Sequence, residues 1–501
     1  MILDYSSAAH YAVVLLPELV LSVAAMVVLL VDVFDKGDAS RPSGPAIPWI
    51  AAVGVAAAFA ANLWLLGVQE AGTDGMIALD AFRVFANGLF LVAAALFLGM
   101  APRYLSENGM QLAELYALVL FATVGMMVFA GSRDLIVIFL GLELLSVAVY
   151  VLTAADRRSL ASAEAGLKYF LLGAFSSAFL LFGIAIVYGG SGTVNLARLG
   201  ELLGEGAGRL AGVGLALILV GYAFKVAAVP FHMWTPDAYQ GAPTPITAFM
   251  AAAVKAAAFA SLARVLLTAF PSLYATWGQI AFWLAVLTMI AANLIALTQD
   301  NLKRMLAYSS IAHAGYLLVA VASGTDVGAS ALLFYLAVYT LMNVGAFAVL
   351  MVVGGYGEER LGIADYGGLA WRRPALAIAM TVFLLSLAGF PLTGGFIGKL
   401  YILRAAVERG FLALAVVLVL TSLLSYWYYL RVAWHMWFQD ADEGALGAPA
   451  PIPASVTAVL VVCVVGVLVT GLFPGALLDL ASASASALGG ATAGVGGAAG
   501  P

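Results

Sequence analysis

The stretch KVAAVPFHMWTPDAYQGAPTPITAF at residues 225–249 carries four prolines between two apolar runs. Proline removes a backbone hydrogen-bond donor and disrupts the preceding helical turn. A second stretch, LLSLAGFPLTGGFIGKLYIL at residues 384–403, places a proline among glycines inside one long apolar run. Each stretch also holds a lysine, Lys225 in the first and Lys399 in the second. We therefore expect two interrupted helices, each with a charged residue beside its interruption.

The composition around these stretches is typical of a membrane protein. Of 501 residues, 64% are hydrophobic and 10% are charged, whereas a soluble domain is roughly 25% charged. So few charges cannot cover the surface of a water-soluble particle, which excludes a soluble globular protein. The net charge of −5, without a basic stripe, argues against a nucleic-acid partner. The single cysteine, Cys463, excludes an intrachain disulfide and a cysteine-rich zinc or iron–sulfur site.

Apolar runs separated by polar residues, glycine or proline predict fourteen membrane-spanning helices. A helix needs about 20 apolar residues to cross a bilayer, and a membrane barrel would show short alternating strands instead. The predicted spans are 11–33, 47–67, 81–101, 112–130, 134–153, 165–188, 208–230, 245–269, 276–297, 304–322, 329–353, 374–408, 411–437 and 453–473. The expected fold is an all-α polytopic membrane protein. The Ala-, Ser- and Gly-rich segment 481–501 is predicted to be a disordered tail.

Basic residues in the short loops predict the orientation, because cytoplasmic loops are enriched in lysine and arginine. With the N-terminus outside, eleven basic residues fall on the cytoplasmic side and six on the other. The cytoplasmic group is Lys36, Arg41, Arg103, Arg157, Arg158, Lys303, Arg304, Arg360, Arg372, Arg373 and Arg431, and the outer group is Arg83, Arg133, Arg198, Arg209, Arg404 and Arg409. Both termini are therefore predicted to lie outside. Arg264, near a helix end, is expected to extend to the membrane surface.

Four lysines fall inside apolar runs rather than in loops: Lys168, Lys225, Lys255 and Lys399. A charge at the bilayer centre costs about 2.5–3.5 kcal/mol on insertion scales, so four of them cost on the order of 10 kcal/mol. One carboxylate, Glu143, lies in the fifth run with apolar residues on both sides. Ionisable residues at this depth are predicted to be functional.

Structural roles stay open for several of these residues. A lone intramembrane lysine can extend to the head groups or form an ion pair that fixes helix packing. Lys168 follows Glu164 by four residues and can pair with it along the helix. His232 and His313 titrate near neutrality and are candidates for proton access, but each can equally be a hydrogen-bonded packing residue. Glu143 can be a structural counter-ion, a role that is compatible with function.

A lysine in the membrane interior can carry a proton. Burial disfavours its charged form, and a nearby carboxylate restores it. At about 6 Å and an effective dielectric constant near 20, this pair interaction is worth roughly 2.8 kcal/mol. A change in the distance to the carboxylate therefore switches the lysine between holding and releasing a proton. A row of such lysines predicts a proton relay.

The two interrupted helices lie five spans apart, in the seventh and twelfth runs. Discontinuous helices at corresponding places in two halves are typical of transporters built from inverted repeats. The predicted organisation is a three-helix segment at 1–110, a first repeat at 111–270, a second repeat at 271–440, a last helix within 441–480 and the tail at 481–501.

Three motifs resemble the antiporter-like subunits of respiratory complex I, the bacterial NADH–quinone oxidoreductase. They are the stretch at 225–249, DNLKRMLAYSSIAHAGY at 300–316, and GFPLTGGFIGKLYIL at 389–403. The form PDAYQGAPTPITAF resembles the subunit N branch of this family in particular. Lys399 also favours this branch, because the M branch typically carries glutamate there. The chain ends soon after the fourteenth run, whereas the L branch continues into a long lateral helix.

The resemblance implies a fourteen-helix fold with two inverted five-helix repeats, each with a broken helix. It implies a proton-translocating module in the bacterial cytoplasmic (inner) membrane, with other membrane-arm subunits and the lipid bilayer as partners. The residues that match the family's functional positions are Glu143 on the fifth helix, Lys168 on the sixth, Lys225 on the first broken helix, Lys255 on the eighth helix and Lys399 on the second broken helix.

No cofactor or metal is expected in this chain, which has neither a Rossmann nor a P-loop glycine pattern in a soluble domain. NADH, FMN, iron–sulfur clusters and quinone are therefore expected in partner subunits of a proton-translocating NADH:quinone oxidoreductase. The working hypothesis is proton entry from the cytoplasm to Lys255, transfer along the lysine row, and exit by Lys399. Two other functions stay open on the sequence alone. These are a stand-alone cation/proton antiporter and a non-catalytic scaffold whose ionisable residues form packing pairs.

Overall fold

The computed structural model describes residues 2–3, 8–36, 43–70, 75–206, 209–355, 360–440 and 451–489. In these ranges the chain is a helical bundle with two two-residue strands, β1 (Ile2–Leu3) and β2 (Gln69–Glu70), which pair in parallel. Twelve helices among the described residues are long and apolar enough to cross a membrane. The prediction of an all-α multi-pass membrane protein is therefore confirmed.

The N-terminal helices pack on one side of the bundle. Their bounds are α1 (Ala8–Val14), α2 (Leu16–Lys36), α3 (Ala46–Trp64) and α4 (Ala81–Glu107). Asp80 begins α4, because its side chain accepts a hydrogen bond from the Arg83 backbone N–H at 2.8 Å.

The next eight helices form what we call the first half of the bundle. They are α5 (Ala113–Gly131), α6 (Leu135–Thr153), α7 (Leu160–Ser191), α8 (Leu196–Gly204), α9 (Arg209–Lys225), α10 (Trp234–Gly241), α11 (Thr244–Phe249) and α12 (Lys255–Ala269). A π-helical segment, Met250–Val254, joins α11 to α12 as one apolar span. This span is buried on all sides and lies at the centre of the bundle.

The remaining helices form the second half and the C-terminal segment. The second half comprises α13 (Tyr274–Ala296), α14 (Leu302–Ser323), α15 (Asp326–Gly354), α16 (Leu369–Arg372), α17 (Pro374–Ala388), α18 (Gly394–Glu408) and α19 (Leu412–Phe438). The C-terminal segment comprises α20 (Ala454–Leu472) and α21 (Gly475–Gly489). Single 3₁₀ turns occupy Leu65–Gly67, Pro271–Leu273 and Ala364–Tyr366.

Both predicted helix interruptions are present. In the first half, α9 ends at Lys225, Ala227 adopts a positive φ of 61°, and α10 begins only at Trp234. In the second half, α17 ends before Gly389 (φ 89°), and α18 begins at Gly394. Left-handed backbone closes a helix and turns the chain away from its axis. The sequence clusters of proline and glycine therefore mark real breaks inside the bundle.

Helices α5 and α6 approach closely because glycines lie at their crossing. A Cβ atom added to Gly125 would lie 2.5 Å from the backbone nitrogen of Leu145, and one added to Gly141 would lie 2.5 Å from that of Phe129. Small residues let the backbones of membrane helices come into direct contact. This contact fixes the position of α6, which carries Glu143.

A cluster of buried arginines and carboxylates joins the N-terminal helices to the first half. Arg264 on α12 binds both carboxylate oxygens of Asp80, at 2.7 and 2.9 Å, and donates to the Ala130 carbonyl. Arg83 on α4 pairs with Glu18 on α2 at 2.7 Å. The prediction that Arg264 extends to the membrane surface is therefore wrong. Its bidentate partner lies far away in sequence, and the side chains of Arg264 and Asp80 are only 3% and 10% exposed.

Several basic residues that were counted in loops lie in helices, among them Lys303 and Arg83. Lys303 was expected in a cytoplasmic loop, but it lies in the first turn of α14, is fully buried, and donates to the Ala242 carbonyl at 2.6 Å. Arg83 was expected in an outer loop, but it lies in the first turn of α4. Helix α14 begins two residues before the predicted span because Asn301 caps its N-terminus, whereas α4 begins at the predicted residue, capped by Asp80. Arg41 lies outside the described residues.

The predicted disordered tail is wrong for its first nine residues. Residues 481–489 belong to α21, and Ala481, Ser484, Ala485 and Leu488 are buried. Alanine is the strongest helix former, and this spacing of three and four residues creates one packed face. A low-complexity composition therefore concealed an amphipathic helix. The rest of the predicted tail, 490–501, lies outside the described residues.

We predict that Asp80→Asn destabilises the folded chain at pH 7. Asparagine still caps α4, but it leaves Arg264 buried without its counter-charge, which costs about 3–5 kcal/mol. Asp134→Asn is the matched control, because Asp134 caps α6 by accepting from the backbone of Ile136 and Val137. Thermal unfolding in detergent should show a large loss of stability for Asp80→Asn and a change in stability below about 1 kcal/mol for Asp134→Asn.

The same pair predicts the pH dependence. Burial alone would raise the pKa of the Asp80 carboxyl, but Arg264, Arg133 and the Arg83 backbone N–H hold it below its usual value. A carboxylate with a lowered pKa stabilises the fold above its unfolded pKa and loses this effect as pH falls through the folded value. The difference in unfolding free energy between the wild type and Asp80→Asn should therefore persist at pH 5 and shrink only below about pH 4. Equal unfolding temperatures at pH 7 would contradict the assignment.

Candidate functional site

Lys225 lies at the end of α9, buried in the first half. Its ammonium donates to the Ser146 hydroxyl on α6 at 2.8 Å. It also lies over two aromatic rings, 5.6 Å from the centroid of Tyr150 and 5.5 Å from that of Tyr169. The negative ring faces favour a cation there. The side chain is 4% exposed, so α6, α7 and the end of α9 enclose the charge within the protein rather than in lipid.

Glu143 lies on α6, one turn before Ser146. It is close enough to act electrostatically on Lys225 and on the Tyr150 hydroxyl. Its Oε1 is buried and has no hydrogen-bond partner among the residues that the structure describes. Glu143 therefore has an acceptor oxygen without a hydrogen bond within electrostatic range of a buried ammonium.

A small cavity opens beside Lys225. Its volume is about 10 Å³, and its polar lining includes Ser146, Tyr150 and Ser176. This is the lower limit of the space that one water molecule needs. His232, in the interruption after α9, is partly buried, and its Nδ1 is an unsatisfied polar atom within the described part of the chain. The surroundings of Lys225 therefore combine polar groups with room for hydration.

Lys255 lies at the start of α12, in the central buried span. Its ammonium donates to both the carbonyl and the hydroxyl of Ser310 on α14. It also lies 5.8 Å from the ring centroid of Tyr339 on α15. The residue is 3% exposed, which excludes an extended position at the head groups. Lys255 thus joins the last helix of the first half to the second half.

Lys399 lies on α18, just after the second interruption. It reaches back to the end of α17, where it donates to the carbonyls of Leu387 at 3.0 Å and Ala388 at 2.8 Å. These are carbonyls that the end of a helix leaves unsatisfied, and the helix dipole favours a cation at this end. The ammonium also lies 4.6 Å from the ring centroid of Tyr316 on α14.

His313 occupies the interior of the second half. The residue is fully buried on α14, its Nδ1 lies 2.6 Å from the Tyr335 hydroxyl, and its Nε2 lies 3.1 Å from the Tyr429 hydroxyl. It lies within electrostatic range of both Lys255 and Lys399. The structure therefore places this histidine within electrostatic range of two of the predicted lysines.

Lys168 lies apart from the buried lysines. Its side chain is 45% exposed, and it pairs with Glu164 at 2.7 Å and with Asp237 on α10 at 2.8 Å. Asp237 also pairs with Arg304 on α14 at 2.8 Å. The expected helical pair with Glu164 is present. The pair with Asp237 was not predicted, since nothing in the sequence aligns α7, α10 and α14.

Three predicted lysines thus share one kind of environment. Each is buried, each donates to a hydroxyl or carbonyl oxygen, and each lies near a tyrosine ring. None of the ion pairs between described residues includes Lys225, Lys255 or Lys399. At Lys255 and Lys399, an ammonium held by neutral acceptors can lose its proton without leaving a buried carboxylate behind. The arrangement can therefore take up and release protons within the membrane.

Comparison with known proteins gives the family. Residues 132–425 match the family model described as "NADH:quinone oxidoreductase/Mrp antiporter, TM". The NADH-quinone oxidoreductase subunit N of Trichlorobacter lovleyi is 47% identical over 473 residues, which cover 93% of this chain and 96% of that protein.

Two solved structures share the fold. A chain of respiratory complex I from Thermus thermophilus, solved with bound aureothin, has a TM-score of 0.80 at 36% identity and covers 93% of this chain and 99% of its own. A chain of the Mrp complex from Dietzia sp. has a TM-score of 0.82 at 23% identity, with 94% and 97% covered. The first similarity extends to the sequence and the second to the fold alone. The chain therefore belongs to the NADH:quinone oxidoreductase/Mrp antiporter family, in its NADH-quinone oxidoreductase subunit N branch.

Proposed function

We propose that this chain is a proton-translocating subunit in the membrane arm of an NADH:quinone oxidoreductase. Its relatives are subunits of that enzyme, and a chain of respiratory complex I shares its fold. The observation that carries the proposal is the burial of three ammonium groups inside the helix bundle, two at helix interruptions and one on the central span. Polar groups at this depth are costly, and in membrane proteins they typically line ion or proton pathways.

The fold of this proposal has fourteen spans and two inverted repeats. Twelve long helices among the described residues support this count, and the proposal takes the two interrupted helices, α9–α10 and α17–α18, as the remaining two spans. The repeats would comprise spans four to eight and nine to thirteen. The lysine contacts support this pairing, because Lys225 lies over Tyr150 of the fifth span and Lys399 over Tyr316 of the tenth.

The relay that we propose comprises Glu143, Lys168, Lys225, Lys255 and Lys399. Glu143 modulates the charge on Lys225 by approaching or withdrawing, since an opposite charge nearby favours the ammonium form. The half-exposed Lys168 exchanges protons at the entrance rather than inside the buried row.

His232 and His313 would provide proton access, and the route runs from the cytoplasm to Lys255 and out by Lys399. His232 lies in the first interruption, and His313 lies within electrostatic range of both Lys255 and Lys399. An imidazole can accept a proton at one nitrogen and release one at the other. Each histidine therefore suits a point where protons pass between lysines and an aqueous face.

The redox chemistry of the complex would take place elsewhere. NADH, FMN, iron–sulfur clusters and quinone are assigned to partner subunits, and this chain contributes proton transfer driven at a distance. We place it in the bacterial cytoplasmic membrane with both termini outside. A stand-alone cation/proton antiporter is the alternative, and cation or proton exchange by the purified chain alone in liposomes would favour it.

Glu143→Gln and Lys225→Met are each expected to lower the number of protons translocated per NADH oxidised. Both substitutions keep the side-chain volume but remove the titrating group, and loss of a proton-transfer group commonly costs about a hundredfold in rate. The measurement uses the assembled complex in proteoliposomes. Glu201→Gln is the control, because Glu201 forms a solvent-exposed pair with Arg198 at 2.8 Å. Unchanged stoichiometry in both variants, with normal assembly, would refute the relay.

Gly389→Ala is expected to lower proton translocation through Lys399. A Cβ at this position would lie 2.9 Å from Cδ of Lys399, and the backbone has a φ of 89°. Gly410→Ala is a matched control, because its φ is 85° and no atom lies within 4 Å of its Cβ. Each variant pays roughly 1–2 kcal/mol of backbone strain, as unfolding in detergent should show. Equal proton translocation by Gly389→Ala and Gly410→Ala would contradict the proposal that proton transfer depends on the position of Lys399.

A further inference from the structure

A chain of polar side chains crosses the interior of the second half. Ser309 and His313 lie one turn apart on α14, on the same face of the helix. Tyr429 on α19 inserts its hydroxyl between them, bonding the Ser309 hydroxyl and Nε2 of His313. On the other side of the ring, Nδ1 of His313 bonds the Tyr335 hydroxyl of α15 at 2.6 Å. All four side chains are buried.

We propose that the Tyr429 hydroxyl is a proton-relay group that connects Ser309 to His313. This inference rests on the proposed function and adds to it a residue that the sequence motifs do not mark. Tyr429 comes from α19, which contributes none of the predicted lysines, and its hydroxyl is the contact between the two polar residues of α14. A phenylalanine would fill the same space but break this connection.

The chemistry of the four groups permits two opposite hydrogen-bond directions. In the first, Ser309 donates to Tyr429, Tyr429 donates to Nε2, and the Nδ1 proton is donated to Tyr335. In the second, Tyr335 donates to Nδ1, the Nε2 proton is donated to Tyr429, and Tyr429 donates to Ser309. A neutral imidazole has one donor and one acceptor nitrogen, so each direction corresponds to one tautomer of His313.

Passage of one proton converts the first direction into the second. Ser309 receives a proton and passes its own to Tyr429, which passes its own to Nε2 of His313. The Nδ1 proton moves to the oxygen of Tyr335, and the hydroxyl proton of Tyr335 passes to the neutral amine of Lys399, which becomes an ammonium. Only O–H and N–H bonds form and break, and each of the four side chains ends neutral. Before a second proton follows, the hydroxyl groups must rotate and His313 must return to its first tautomer. These four side chains therefore conduct one proton at a time.

Each end of this chain lies next to a residue that contacts or adjoins a predicted lysine. Ser310, the neighbour of Ser309, accepts hydrogen bonds from the Lys255 ammonium. At the other end, Tyr335 packs against Gly398, the residue before Lys399, where an added Cβ would lie 2.2 Å from the ring. The hydroxyl of Tyr429 therefore lies between the surroundings of Lys255 and those of Lys399.

The test is Tyr429→Phe in the assembled complex, with protons translocated per NADH oxidised as the readout. We expect about a tenfold decrease in proton translocation, with the amount of assembled complex unchanged. Tyr222→Phe is the matched control, because Tyr222 is also buried and bonds a serine hydroxyl, Ser261, at 2.6 Å. It should change translocation by less than about twofold. If Tyr429 has a purely structural role, the substitution lowers the amount of assembled complex and the rate of NADH oxidation together. The number of protons translocated per NADH oxidised then stays unchanged.

Two further variants complete the test. One replaces Tyr429→Phe if that variant does not assemble, and the other separates this inference from the proposed function. If Tyr429→Phe does not assemble, Ser309→Ala removes the other hydroxyl of the same contact and should give the same loss. Lys255→Met, measured in parallel, separates this inference from the proposed function. Normal translocation by Tyr429→Phe together with loss in Lys255→Met would overturn the relay role of Tyr429 alone. Normal translocation by Lys255→Met would overturn the proposed function itself.

Discussion

The hydrogen bonding of buried ammonium groups is the constraint on which the rest of this structure depends. A charge inside a bilayer is stable only where the protein itself replaces its water. At Lys225 a serine hydroxyl and two tyrosine rings do so, and at Lys255 the carbonyl and hydroxyl of one serine do so. At Lys399 the open end of a helix supplies the acceptors. The bundle must therefore bring exposed carbonyls and hydroxyls to the depth of each lysine.

Helix interruptions meet this requirement directly. An intact helix uses all its internal carbonyls, so a break is the way to offer backbone oxygens inside the membrane. Lys225 ends α9, and Lys399 folds back onto the end of α17, so both charges lie at helix C-termini, where the dipole favours them. The positive φ values at Ala227 and Gly389 mark where the chain leaves the helix. In each interruption, the strained backbone and the groups that stabilise the lysine charge therefore occur at the same place.

The sequence predicted the features of the lysine sites that depend on residues close together in the chain. Proline and glycine clusters located both breaks, and lysines in apolar runs located the buried charges. The partners of those charges depend on which helices pack together, and a single sequence does not show this. Arg264 was misplaced because Asp80 lies on another helix, and Tyr429 was not identified because a tyrosine in an apolar helix has no distinctive pattern. The composition of α21 similarly concealed its packed face.

The two halves differ in how their charges can be controlled. Glu143 gives Lys225 an acidic neighbour, so movement of one carboxylate can change the charge of that lysine. No carboxylate among the described residues contacts Lys255, at the end of the first half, or Lys399, in the second half, and His313 lies within electrostatic range of both lysines. Like charges in a low-dielectric interior repel, so a proton on either lysine disfavours one on the histidine. In the relay that we propose, Lys255, His313 and Lys399 therefore carry protons in sequence, and Glu143 controls the charge on Lys225.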